Sequence, residues 1–168
     1  MIADAWPTLA VRQAQLVVLG NGERGYEDAW REIARRNPRQ VSAQIGYDER
    51  LAHQIEAGVD MFLMPSRFEP CGLNQLYSLR YGTVPIVHRT GGLADTVRLW
   101  DPKTGEGTGF VFDHHDAAGL RWAIEAALAV FRDHAVWRRL MMNGMSQDYS
   151  WDRQSALYEL LYSRQRET

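Results

Sequence analysis

Short apolar runs alternate with segments of helical period along this chain. The apolar runs lie at residues 16–19, 41–45, 60–64, 84–88 and 109–112. Helical spacing predicts helices at residues 3–13, 25–36, 49–57, 73–81, 93–97, 117–131, 136–144 and 152–164. Runs that are apolar throughout are typical of parallel strands covered on both faces. The pattern therefore predicts an α/β fold with a Rossmann-like, doubly wound parallel sheet.

The first element does not fit this alternation. Residues 3–13 have a helical pattern, whereas a Rossmann-type half opens on a strand that is central in the sheet order. We therefore predict that residues 1–168 form one domain that lacks its first strand. The strands at 16–19 and 60–64 would then lose their common partner, and would either keep open edges or pair with each other.

Composition and charge exclude several classes of function. The chain has 168 residues, 45% of them hydrophobic, and a net charge of −2 without a basic block, which argues against a nucleic-acid partner. No apolar run approaches the roughly 20 residues of a membrane span, and the first residues lack a signal-peptide pattern. The single cysteine, Cys71, excludes an internal disulfide. These observations predict a cytoplasmic protein with no membrane partner.

The strongest candidate chemistry lies at residues 65–75, Pro-Ser-Arg-Phe-Glu-Pro-Cys-Gly-Leu-Asn-Gln. This segment joins a predicted strand to a helix that Gly72 opens, and such a helix N-terminus binds phosphate without a metal. Glu69 is placed to hydrogen-bond the group that the phosphate carries, so we expect a nucleotide-linked substrate. A second turn of this kind, at Gly91 and Gly92, could bind a second phosphate. Alternatively, both turns are ordinary tight turns.

Other motifs have competing interpretations. Gly20, Gly22 and Gly25 match the G-x-G-x-x-G pattern of NAD-dependent oxidoreductases, with Asp48 at the distance of a ribose-binding acid. The alternative is a simple glycine-rich turn, and it is favoured because two acidic residues near the helix start would repel a pyrophosphate.

Individual residues in and near the candidate loop also allow purely structural interpretations. Glu69 could be a helix-capping acid, and Cys71 is expected to be a small buried thiol rather than a nucleophile. The run Asp-His-His-Asp at residues 113–116 is a weak metal candidate, since adjacent side chains point apart. We predict no metal and no cofactor.

Residues 65–76, 81–87 and 89–97 closely resemble bacterial glycogen synthases and plant starch synthases. Residues 44–47, 109–112 and 149–151 are also similar to this family, so the resemblance covers nearly the whole chain. It implies the C-terminal half of a GT-B retaining glycosyltransferase. Such an enzyme moves glucose from ADP-glucose to the non-reducing end of an α-1,4-glucan.

The resemblance also implies roles for individual residues. Glu69 would be the active-site glutamate, Cys71, Gly72 and Leu73 would supply backbone donors to the diphosphate, and Tyr47 would lie beside the adenine. The donor pocket would be lined by Thr90, Gly91 and Gly92. Broader relatives carry a second glutamate where this chain has Tyr77, a departure that favours the glycogen-synthase branch.

Two family features are absent from the sequence. Neither the Arg and Lys that clamp the donor phosphates nor the N-terminal domain with its acceptor-side motif is present. We therefore expect that domain to be a partner, and the isolated chain to be inactive. The final helix is expected to expose an apolar stripe of Leu157, Leu160 and Leu161. The rival functions are an NAD-dependent oxidoreductase and a non-catalytic nucleotide-binding or interaction module.

Overall fold

Helices and parallel strands alternate along the chain. The computed structural model describes residues 1–165, and it describes the side chains of these except at positions 157, 164 and 165. The helices are α1 Ile2–Val11, α2 Arg24–Arg36, α3 Glu49–Gly58, α4 Asn74–Tyr81, α5 Gly91–Thr96, α6 Ala117–Phe131, α7 His134–Met145 and α8 Trp151–Gln165. The strands are β1 Leu16–Gly20, β2 Val41–Ile45, β3 Met61–Met64, β4 Val84–His88 and β5 Phe110–Phe112.

The strands form two parallel sheets instead of one continuous sheet. β1 pairs with β2, and β3, β4 and β5 pair in that order. A doubly wound sheet of order 3-2-1-4-5-6 divides into these two groups when its first strand is left out. Among the described strands, β1 and β3 therefore each keep one open edge. They do not close on each other, which was the alternative outcome.

The apolar core lies on both faces of the three-stranded sheet. Val84 and Ile86 of β4 face a large cluster that includes Trp6 from α1 and Leu120 from α6. Val87 faces the opposite way, into a smaller cluster with Leu93 of α5. Every residue of β5 is buried. The prediction of strands covered on both faces is therefore confirmed for β4 and β5.

That prediction is wrong for β1. Its residues are only partly buried, Val17 is exposed, and no residue of the adjacent helix α2 is buried. β1 has a single described partner strand, so its apolar side chains have less protein around them than those of β4. An apolar run in the sequence predicted the strand correctly but not its burial.

Helix boundaries differ from the predicted ones where a side chain or a glycine turn sets the start. α7 begins at His134 rather than residue 136 because Asp133 accepts hydrogen bonds from the N–H groups of Ala135 and Val136. α5 begins at Gly91, ahead of the predicted residue 93. In α8, Leu160 and Leu161 are exposed as expected, whereas the Leu157 side chain lies outside the described residues.

Candidate active site

Two turns meet where β3 and β4 end. The first turn, residues 65–73, connects β3 to α4, and the second, Arg89 and Thr90, connects β4 to α5, which opens with Gly91 and Gly92. The N–H of Gly92 donates to the carbonyl oxygen of Glu69 at 3.0 Å. A Cβ at Gly91 would overlap that same oxygen, and a Cβ at Gly92 would overlap the carbonyl oxygen of Cys71. The close approach of the two turns therefore requires both glycines.

The start of α4 presents unused backbone donors. Gly72 has φ +71°, and Leu73 occupies the N-cap position without a side-chain hydrogen bond. Among the described residues, the N–H groups of Cys71, Gly72 and Leu73 have no protein acceptor. Together with the positive end of the helix dipole, these groups suit an anion such as phosphate.

The start of α5 uses several of its backbone donors within the protein. Its N–H groups at Gly92, Leu93 and Ala94 already donate, the first to Glu69 and the other two to the carbonyl oxygen of Thr90. The N–H groups of Thr90 and Gly91 have no acceptor among the described residues, so the expectation of a second phosphate site at this turn stays a prediction. Its role in the structure is to support the loop that carries Glu69.

The Glu69 side chain is half-buried, and its carboxylate accepts no hydrogen bond from another described residue. The interpretation of Glu69 as a helix cap is therefore wrong, because no N–H group at the start of α4 donates a hydrogen bond to its carboxylate. Glu69 belongs to the same loop as the free N–H groups, and its backbone carbonyl is fixed by Gly92, so its unpaired carboxylate is available to a group attached to a bound phosphate.

Cys71 is exposed, and the prediction of a buried thiol is wrong. The inner side of this loop is occupied by the contact between the Cys71 carbonyl and Gly92, so the side chain points outward. The backbone N–H of Cys71 has no acceptor in the described structure, so its expected contact with the diphosphate stays a prediction.

The back of the loop is held by two histidines. Nδ1 of His88, at the end of β4, lies 2.9 Å from the carbonyl oxygen of Ser66. Nε2 of His115 lies 3.0 Å from the carbonyl oxygen of Pro65, and the two rings are 4.8 Å apart between centroids. Sequence reasoning missed this arrangement because the histidines and the loop are far apart in the chain.

The two aspartates of the Asp-His-His-Asp run also have local roles. Asp113 pairs with Arg89 at 2.5 Å, and Asp116 caps α6 by accepting from the N–H of Gly119 at 2.7 Å. No group of three or more potential metal ligands occurs within the described part of the chain. The candidate metal cluster is thus a set of residues engaged with different neighbours.

Tyr47 lies apart from the two turns. It is 82% exposed and follows β2, which belongs to the two-stranded sheet. It therefore follows the carboxyl end of a strand, as the Glu69 loop does, but that strand belongs to the other sheet. The structure brings together Glu69, Cys71, Gly72, Leu73, Thr90, Gly91 and Gly92, and it leaves Tyr47 separate.

The glycine fingerprint is occupied by its own neighbours. Glu27 accepts a hydrogen bond from the N–H of Gly22 at 3.2 Å, so a carboxylate sits where a pyrophosphate would bind. Asp48 caps α3 by accepting from the N–H of Leu51 at 2.9 Å. A Cβ at Gly20, Gly22 or Gly25 would meet no atom within 4 Å, so packing in this structure does not require these glycines. These contacts give an NAD site no support.

Residues 1–135 match the family described as glycosyl transferases group 1. The chain belongs to this family. The glycogen synthase of Anaeromyxobacter dehalogenans is 55% identical over 162 residues, which are 96% of this chain and 34% of that relative. The chain thus spans about a third of the length of the curated relatives it matches.

Solved structures agree with the family assignment. The catalytic domain of starch synthase IV from Arabidopsis thaliana, bound to ADP and acarbose, has a TM-score of 0.79 and 38% identity. That match covers 89% of this chain and 32% of the other. Sucrose-phosphate synthase from Thermosynechococcus elongatus has a TM-score of 0.66 and 22% identity. That match covers 96% of this chain and 42% of the synthase chain, and at this identity it supports the fold alone.

This member of the family therefore has the α/β architecture predicted from its sequence, that of the C-terminal half of a GT-B fold. None of its described helices is both long enough and apolar enough to cross a membrane.

Proposed function

We propose that this chain is the donor-binding part of a glycogen or starch synthase. The enzyme would transfer glucose from ADP-glucose to the non-reducing end of an α-1,4-glucan, with retention at the anomeric carbon. The observation that carries the proposal is the loop at residues 65–73. That loop carries both Glu69 and the backbone N–H groups of Cys71, Gly72 and Leu73, which have no acceptor among the described residues.

The similar proteins support the choice of substrates. A relative that is 55% identical is named glycogen synthase, which favours a glucan acceptor. The similar starch synthase structure holds ADP and acarbose, which favours an adenine nucleotide as the leaving group. Preference for ADP-glucose over UDP-glucose is the finer part of the proposal, because Tyr47 alone does not select a base.

The proposed chemistry follows from where negative charge develops. As the bond between the anomeric carbon and the phosphate oxygen breaks, charge accumulates on the departing diphosphate. The N–H groups of Cys71, Gly72 and Leu73 and the dipole of α4 would stabilise that charge without a metal or cofactor. Glu69 would orient the glucosyl group while the acceptor hydroxyl attacks from the same face, and the acceptor proton would leave with the diphosphate.

The chain would act within a longer enzyme. Because it spans about a third of its relatives' length, the acceptor-side domain and the phosphate-clamping Arg and Lys would come from elsewhere in the full-length protein. We propose that this enzyme works in the cytoplasm. The remaining candidate is a nucleotide-binding module without catalysis.

The test is a donor comparison with full-length enzyme that contains this chain. Labelled glucose should pass to glycogen from ADP-glucose, and more slowly from UDP-glucose. Absence of transfer from both donors would refute the proposal, and tight ADP binding without transfer would favour the non-catalytic module. Turnover of NAD with a hydroxy acid would restore the oxidoreductase interpretation.

A further inference from the structure

Gln75 is a polar side chain that the proposed chemistry does not use. It lies in the first turn of α4, one turn from Cys71, and it is 0% exposed. A glutamine in such a position loses its water and must find partners inside the protein. Sequence reasoning counted this residue only as part of the family motif.

The Gln75 amide joins the loop of Glu69 to α5. Its Nε2 lies 3.0 Å from the carbonyl oxygen of Cys71, 2.9 Å from that of Gly72 and 3.2 Å from the hydroxyl of Thr96. Two hydrogens serve these three acceptors, so one of them is shared. The Thr96 hydroxyl in turn donates to the carbonyl oxygen of Gly92 at 2.6 Å.

This network connects the same two turns that already meet through the backbone. Gly92 donates to Glu69, and its carbonyl is held by Thr96, whose hydroxyl accepts from Gln75. Tyr149, in the segment between α7 and α8, donates to the carbonyl oxygen of Thr96 at 2.9 Å and fixes the end of α5. The carbonyl oxygens of Cys71, Gly72 and Gly92 are thus held by the linked side chains of Gln75 and Thr96.

We propose that Gln75 and Thr96 are positioning residues for glucosyl transfer, and that they hold the Cys71–Leu73 donors and Glu69 in one fixed geometry. The proposal rests on the proposed function. Donors that are fixed in advance stabilise the charge of the transition state more than that of the bound substrate. Loosening them should therefore lower kcat more than it weakens donor binding.

The first test uses Thr96→Val in the full-length enzyme, since valine keeps the shape of threonine and removes the hydroxyl. We expect kcat with ADP-glucose to fall about 10-fold or more, because small displacements of catalytic groups are costly. KM for the donor should change by less than about 3-fold, because the ground-state contacts remain. Thr96→Ser, which restores the hydroxyl, should recover most of the activity, and Gln75→Met should resemble Thr96→Val.

Ser78→Ala is the matched control. Ser78 lies on the same helix, is as buried as Gln75, and its hydroxyl has no partner in the described structure. It should keep the wild-type kcat. A second readout is the hydrogen exchange of the Gly92 amide, which should become faster in Thr96→Val and Gln75→Met while the melting temperature stays close to that of Ser78→Ala.

Three results would overturn the proposal: wild-type kcat in Thr96→Val, an equal loss in Ser78→Ala, or a loss in Thr96→Val that serine does not recover. If the wild-type enzyme transfers glucose and Thr96→Val has the same kcat, the positioning role is refuted and the proposed function stands. A wild-type enzyme with no transfer from any sugar nucleotide refutes the proposed function, and the positioning role falls with it, whatever the exchange of Gly92 shows.

Discussion

At the scale of single residues, the candidate site depends on glycines that allow two turns to touch. Gly91 and Gly92 lie against the backbone of the Glu69 loop, and a side chain at either position would overlap a carbonyl oxygen. Gly22, which belongs to the competing dinucleotide fingerprint, has open space around the position of a Cβ. The two motifs therefore predict opposite responses to the same kind of substitution.

We predict that Gly92→Ala lowers kcat of the full-length enzyme about 100-fold, because the added methyl group must push the Cys71 carbonyl and its neighbouring donors away. Gly22→Ala should stay within about 2-fold of wild type, since the added Cβ would meet no atom within 4 Å. Initial rates with ADP-glucose and circular dichroism of both variants check this. The reverse order of effects would move the functional site to the fingerprint.

At the scale of elements, helix α3 carries a buried glutamate whose carboxyl group lacks a full set of hydrogen-bond partners in the described structure. Glu56 is 2% exposed, and its Oε2 has no hydrogen-bond partner among the described residues. Burial raises the pKa of the Glu56 carboxyl above its ordinary value of 4.5, and the nearby His53 offsets part of that rise. The folded protein thus holds this proton more tightly than the unfolded chain does, and ionisation of Glu56 at higher pH costs stability.

We predict that Glu56→Gln is more stable than wild type at pH 8 and that this difference shrinks as the pH falls toward and below 4.5, because the wild-type carboxyl becomes protonated as well. Urea unfolding of the full-length enzyme at several pH values, followed by a signal from this domain, measures the difference. Glu125→Gln, an exposed glutamate on α6, is the control and should show no such trend. A pH-independent effect of Glu56→Gln would contradict the assignment.

The sequence predicts well which segments form helices and strands, and less well which residues surround each side chain. Unbroken apolar runs and helical spacing are local signals, so β4, β5 and α4 could be found from them. The burial of β1 depends on which strand lies beside it, and the outward Cys71 side chain depends on Gly92 in another turn. Gln75 is a similar case, because its partners include Thr96, which is distant in the sequence.

At the scale of the whole molecule, two features leave apolar surface and backbone groups unpartnered in the described structure. β1 and β3 each have an open edge among the described strands, and α8 exposes Trp151, Leu160, Leu161 and Tyr162. Open parallel edges and exposed apolar helices both favour association.

We predict that the isolated chain associates with itself in a concentration-dependent manner and does not elongate glucan. Sedimentation velocity over a concentration series and a glucan-elongation assay test the two parts. The double substitution Leu160→Ser and Leu161→Ser should reduce association if α8 is its source, and association that persists unchanged would assign it to the strand edges. A monomeric isolated chain with synthase activity would contradict both parts.

The central claim is that Glu69 acts on a glucosyl donor held by the α4 N-terminus, and kcat of Glu69→Ala in the full-length enzyme tests it most directly. We predict a loss of at least about 100-fold, or about 2.7 kcal/mol of transition-state stabilisation, with unchanged circular dichroism. Cys71→Ser, in the same loop, should lose far less, because its backbone N–H and not its sulfur would face the phosphate. Near-wild-type turnover of a folded Glu69→Ala enzyme would contradict the account.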